Sequence, residues 1–255
     1  MKKGFLALLG ACCVLSGAFA QDTVTLGVFG YTKMDKPAGK LNLIGINYGD
    51  TNSTLNEVCP VDQYTGSGLV SDADRIIVWD SSSQAYTTYA LFDDGNGTVE
   101  WRLYNNFYGS AQNPLIPVGS GFWVDSKGST TDTNIVVSGS VVLDNSVTNQ
   151  IAQGLQLMGY SFSTERDLND MALKDQGTGS GLISGADRVI IWNVATQSYE
   201  TYALFDDGNG TKEWRDYGDF YHSPGAIPVD LGHGFWYDAK SVFNWIEQNP
   251  YVANL

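Results

Sequence analysis

The chain has 255 residues with 14 basic against 28 acidic side chains, a formal charge of −14. That charge makes nucleic acid and anionic membrane surfaces poor partners, because like charges repel at range. After the first 20 residues no apolar run approaches the roughly 20 residues needed to span a bilayer, and about 235 residues are enough to bury a substantial core.

Lys2 and Lys3, the apolar run from Phe5 to Leu15 and the Ala18-Phe19-Ala20 triplet before Gln21 have the three-part layout of a secretory leader. Cleavage there predicts an exported protein, in the periplasm, on the cell surface or outside the cell. Processing ahead of Cys12, giving a lipoprotein, is the alternative reading. The mature chain would keep Cys59 alone, so no intramolecular disulfide can form, and Cys59 reads as a small packing residue.

Thr23 to Met34 is rich in β-branched and aromatic residues and predicts a first strand. Lys40 to Tyr48 predicts a second, and Leu155 to Phe162 repeats it. The stretch from Gly66 to Arg102 recurs at Gly179 to Arg215, identical at 26 of 37 positions, so the chain is an internal duplication. Within it the Gly/Ser-rich segments 64–68 and 177–181 match neither phosphate-binding glycine motif and read as structural turns. Only His222 and His233 could serve a serine nucleophile as base, and the first copy has no equivalent.

Ile76 to Trp79 and Val189 to Trp192 are continuous apolar runs, expected for strands covered on both faces. Tyr86 to Phe92 and Thr98 to Tyr104 predict a hairpin closed by the Asp-Gly and Asn-Gly steps between them. With Phe92 opposite Thr98, one hairpin face carries Tyr86, Thr88, Ala90, Phe92, Thr98, Glu100, Arg102 and Tyr104, each identical in the second copy. The other face centres on Tyr89, Leu91 and Trp101 and drifts toward charge at its flanks. The identical face is therefore the one expected to be buried between the units. Each copy closes on a Gly-Phe-Trp strand, at Gly121 and Gly234. Ile135 to Leu143 predicts the strand that opens the second unit, and Val242, Phe243, Trp245 and Ile246 fit a short C-terminal helix ending before Pro250.

These elements predict a mainly β protein of two homologous antiparallel units, sandwich or barrel-like. The expected divisions are a leader over 1–20, one unit over 21–130 and a second, with the tail, over 131–255. Three chemistries compete for the function. The acidic turns offer hard oxygen ligands for Ca2+ at Asp93, Asp94, Asn96, Glu100, Asp206, Asp207, Asn209 and Glu213, although the spacing is not that of an EF-hand, and Asp/Asn/Gly turns are what hairpins ordinarily use. Aromatic residues in irregular sequence, Tyr104, Phe107, Tyr108, Tyr217, Phe220 and Tyr221, are candidates for stacking against a glycan. A carboxylate pair for glycan hydrolysis is the third reading; twin complete active sites in units this short would be unusual, so a non-enzymatic role is favoured.

The leader, the "LNLIG" strand, "ADRIIVWD" followed by a Tyr-rich hairpin ending "EWR", and the "PVGSGFWV" closure resemble an uncharacterised family of exported tandem-repeat β proteins found in Verrucomicrobia and related bacteria. The resemblance covers about residues 26–127 and, in part, 155–240. It implies an envelope or extracellular setting and brings no catalytic residues with it. The expected role is in binding or as a structural surface component, with a glycan or another envelope protein as partner.

Overall fold

The computed structural model describes residues 28–251; the leader, Cys12 and the start of the first predicted strand lie outside them. In the first unit the strands are β1 (Phe29–Lys36), β2 (Leu41–Gly45), β3 (Arg75–Asp80), β4 (Ala85–Asp93), β5 (Val99–Leu103), β6 (Gly121–Asp125) and β7 (Thr133–Ser140), with a one-turn helix α1 (Leu55–Val58) after β2. The second unit has β8 (Ser146–Ile151), β9 (Gly154–Gly159), β10 (Arg166–Asp167), α2 (Leu173–Gln176), β11 (Arg188–Asn193), β12 (Ser198–Asp206), β13 (Lys212–Asp216), β14 (Pro228–Val229), β15 (Gly234–Ala239) and β16 (Phe243–Gln248).

Each unit is an antiparallel sandwich. A five-stranded sheet, ordered β2-β6-β3-β4-β5 or β9-β15-β11-β12-β13, is covered by a two-stranded ribbon, β1-β7 or β8-β16. The core between them holds Ile44, Ile76, Leu91, Trp101 and Phe122 against Met34, Ile135 and Val137 in the first unit. In the second, Val189, Leu204, Trp214 and Phe235 pack against Ile151 and Trp245.

Two expected elements differ. The strand at Ile135 to Leu143 does not open the second unit; as β7 it pairs with β1 and closes the first, while β8 opens the second by pairing with β16. The C-terminal segment is not a helix but β16, where Phe243, Trp245 and Glu247 turn inward and Asn244, Ile246 and Gln248 outward. An inward-facing glutamate disguises this period of two, and the spacing of the apolar residues alone also suits a helix.

The β4–β5 hairpin forms as expected, with Gly95 and Gly97 at φ 69° and 107°, angles that glycine adopts without the clash a Cβ brings. Phe92 faces Glu100 rather than Thr98. The shift is two residues, so every side chain keeps its face. The core, however, lies on the side of Tyr89, Leu91 and Trp101. The identical face is divided between two covers. Ala90 and Phe92 lie under Phe107 of their own unit, while Tyr86 and Tyr199, 53% and 55% exposed, stand at the edge of the contact with the other unit.

That contact joins the units into one pseudo-symmetric body. Leu43 and Trp123 pack against Leu157 and Trp236. Trp79 donates its indole N–H to the Leu155 carbonyl at 2.9 Å, and Trp192 donates to Leu41 at 3.0 Å. Gln84 and Gln197, at the tips of the β3–β4 and β11–β12 turns with φ of 51° and 54°, reach the same two carbonyls, each at 3.0 Å. Along the approximate two-fold axis the backbones meet. A Cβ on Gly45 would come within 2.5 Å of the His233 carbonyl oxygen, one on Gly159 within 2.7 Å of the Gly45 Cα, and those on Gly121 and Gly234 within 2.8 and 2.7 Å of backbone oxygens across the seam.

Backbone cannot yield as a flexible side chain can. Gly45→Ala is therefore expected to lower the unfolding free energy by about 1–3 kcal/mol or more. Gly225→Ala, where a Cβ meets nothing within 4 Å, should leave the urea midpoint unchanged, and parallel denaturation curves check both.

Candidate functional site

The strand β5 and its successor segment build the same shelf in each unit. Arg102 projects from β5 on the identical face, where Glu100 pairs with it at 2.6 Å. Its guanidinium lies 3.5 Å from the centre of the Phe92 ring and donates to the Phe107 carbonyl at 3.4 Å. A single 3-10 turn, 104–106, then brings Phe107 edge-on to Phe92 at 5.4 Å. Tyr108 follows, in edge contact with Phe107 at 5.6 Å and Phe92 at 6.4 Å, and its hydroxyl donates to the Gly68 carbonyl at 3.2 Å.

The second unit repeats the arrangement up to the tyrosine, whose hydroxyl makes no hydrogen bond among the described residues. Glu213 pairs with Arg215 at 2.7 Å, Arg215 sits 3.5 Å over Phe205 and donates to the Phe220 carbonyl, and Phe205, Phe220 and Tyr221 follow in edge contacts of 5.5 Å. The identity of Phe92, Glu100 and Arg102 with their counterparts is thus explained: they hold the segment that carries the exposed ring.

Of the six aromatic candidates, Tyr108 and Tyr221 are 73% and 67% exposed, and Tyr104 and Tyr217 are also exposed. Phe107 and Phe220 are buried; they support the surface rather than present it, because the turn that exposes the tyrosine points the preceding ring inward. Tyr104 lies under the Arg75 guanidinium at 4.7 Å and borders a shallow cavity of about 280 Å3 shared with Tyr86 and Thr88.

The acidic candidates are engaged in the turn. Asp93 accepts from the Gly95 N–H, and Asp94 accepts from Asn96 and Thr98; Asp206 and Asp207 do the same with Gly208, Asn209 and Thr211. These backbone donors hold the Asp94 and Asp207 carboxyls below their ordinary pKa. The Asn96 and Asn209 side chains bond back to the carbonyls of Asp94 and Asp207. Glu100 and Glu213 turn to their arginines, so the eight residues do not converge on one point. Among the described residues no group of three or more His, Cys, Asp or Glu is arranged to hold a metal ion.

The buried polar groups serve the fold. Burial pushes the Cys59 thiol up to about 12, which leaves no thiolate at neutral pH and fits its packing role. Asp74 and Asp187, both fully buried at the entry to β3 and β11, are satisfied differently in the two copies. Asp74 accepts from Lys36 at 2.5 Å and from Ser129 and the Thr65 and Gly128 N–H groups. Asp187 accepts from the Tyr237 hydroxyl at 2.7 Å and from Thr178 and Lys240 N–H groups. Tyr237 occupies the strand position that Val124 holds in the first unit.

No protein-family model, curated protein or solved structure matches the chain.

Sequence reasoning reached the exposed tyrosines through their irregular surroundings. It missed Arg102 and Glu100 as their support, for which identity across the copies was the available signal. Lys36→Met leaves the Asp74 carboxylate buried beside an apolar side chain, a loss of about 3–5 kcal/mol. Adding Val124→Tyr, which supplies the hydroxyl that the second copy uses, is expected to recover part of that loss in thermal melts.

Proposed function

We propose that the protein is an exported, non-enzymatic binding component of the cell envelope that presents two equivalent aromatic surfaces, one per unit, to glycan. The observation that carries this reading is the exposure of Tyr108 and Tyr221, each in edge contact with the buried phenylalanine that precedes it. A large ring held at the surface, Tyr108 by Phe107, Phe92 and its own hydroxyl and Tyr221 by Phe220, serves no core. Being already ordered, it loses little side-chain entropy when a flat apolar sugar face stacks on it.

Two such rings fixed on one body would engage a repeating polymer with avidity beyond either site alone. The acidic charge disfavours anionic polymers, so neutral glycans are the expected class. The leader, and the setting implied by the resemblance to exported repeat proteins, agree with an envelope location.

Binding to a glycan array or to insoluble polysaccharide tests the reading. Tyr108→Ala and Tyr221→Ala should each weaken binding, and the double variant should weaken retention on the polymer further than either alone while melting like the parent. Undiminished binding by the folded double variant would contradict the assignment of these rings.

A further inference from the structure

A cavity lies away from these tyrosines, at the junction of the units. It has a volume of about 450 Å3, within the ~300–1,000 Å3 range of small-molecule sites, which favour interfaces between structural units. The first unit contributes the end of β3, with Trp79, and the loop from Leu115 to Gly121. The second contributes Asn149 and Gln150 from β8 and Gln156 to Met158 from β9.

The walls of the cleft are bonded to each other. Gly159 donates its N–H to the Gly119 carbonyl at 2.9 Å, and Ser120 bridges to Met158. Gly119 has a φ of 82° and lies so close to the second unit that a Cβ there would come within 2.7 Å of the Ser161 hydroxyl. Trp79, fixed by its bond to Leu155 and by edge contacts with Tyr86 and Trp236, supplies an aromatic wall.

The polar lining is neutral. No Asp, Glu, Lys, Arg or His lines the cleft, although the chain as a whole is strongly acidic. Gln156 is only 8% exposed; its amide nitrogen donates to the Ala152 carbonyl at 2.9 Å, and its amide oxygen has no partner among the described residues. Gln150 makes no side-chain hydrogen bond among them. The corresponding strand end and loop of the second unit, at Trp192 and Pro228, border a cleft of about 310 Å3 that is lined by second-unit residues alone and carries Glu200, Asp230 and His233. The two copies have thus kept the tryptophan and the loop while their charge diverged.

We propose that the cleft beside Trp79 is a separate ligand site that takes one neutral sugar residue, stacked on the indole and hydrogen-bonded through its hydroxyls to the Gln150 and Gln156 amides. An aromatic wall together with the free Gln156 amide oxygen and the exposed Gln150 amide, both uncharged, suits a ligand with one apolar face and a rim of hydroxyls. A charged ligand finds no counter-ion there. The proposal shares the glycan reading of the surface tyrosines but not their residues.

Titration of the 15N-labelled protein with cellobiose, maltose and N-acetylglucosamine, and with galacturonate as a charged comparison, tests it. At least one neutral sugar should shift the Trp79 indole and the Gln150 and Gln156 side-chain amide signals. Gln156→Leu should weaken that binding about tenfold, the equivalent of one hydrogen bond to a buried amide, and Tyr108→Ala with Tyr221→Ala should leave it unchanged. If Gln156→Leu does not fold, Gln150→Ala, at an exposed position, carries the same comparison. Shifts confined to Tyr108 and Tyr221 would overturn the cleft and leave the surface reading standing, and shifts confined to the cleft would do the reverse. No shift with any neutral sugar, or a preference for galacturonate, would overturn the proposal.

Discussion

Four glycines on the approximate two-fold axis, Gly45, Gly121, Gly159 and Gly234, let the two five-stranded sheets touch backbone to backbone. Everything between the units depends on that approach. Because β2 and β6 of one unit lie so near β9 and β15 of the other, the indoles of Trp79 and Trp192 reach carbonyls across the seam and the rings of Trp123 and Trp236 bury themselves there. A methyl group at any of these positions would hold the sheets apart and leave both the ring packing and the indole bonds short of their partners. The seam also forms the walls of the junctional cleft, so the site beside Trp79 exists only in the joined body.

Duplication set two kinds of constraint on the copies. Where a residue supports the segment that carries the exposed tyrosine, as Phe92, Glu100 and Arg102 do, the second copy repeats it unchanged, because an arginine held between a carboxylate, a phenylalanine ring and a backbone carbonyl has few substitutes. Where the requirement is only that a buried carboxylate be satisfied, the copies found different donors, Lys36 for Asp74 and Tyr237 for Asp187. A burial cost must be met, but its chemistry is open. The clefts beside Trp79 and Trp192 also diverged, from neutral amides in the first to Glu200, Asp230 and His233 in the second.

Much of the fold was legible because its signals are local. The strands β3, β4 and β5 follow from apolar runs and alternation, and the hairpin between β4 and β5 follows from glycines that take positive φ. The two-unit organisation follows from the repeat itself. The pairing of β1 with β7 was not legible. It joins residues about one hundred positions apart in segments where the copies no longer align, and neither strand's sequence names its partner. The inward Glu247, bonded to Trp245 and to the Ala172 N–H, hid the alternation of β16. The exposed tyrosines could be read from their irregular surroundings, whereas Gln150, Gln156 and Trp79 meet only because the units pack, a relation that no local pattern carries.

The central claim, that the two units form one body joined through a glycine seam, is tested most directly by following each unit separately during equilibrium unfolding. Trp101 and Trp214, equivalent and fully buried in their respective cores, can be observed individually as fluorinated indoles in urea. Coincident midpoints and slopes for the two signals are the predicted result, since neither unit retains its seam contacts once the other has opened. Two separated transitions, with one core intact while the other is unfolded, would contradict the account.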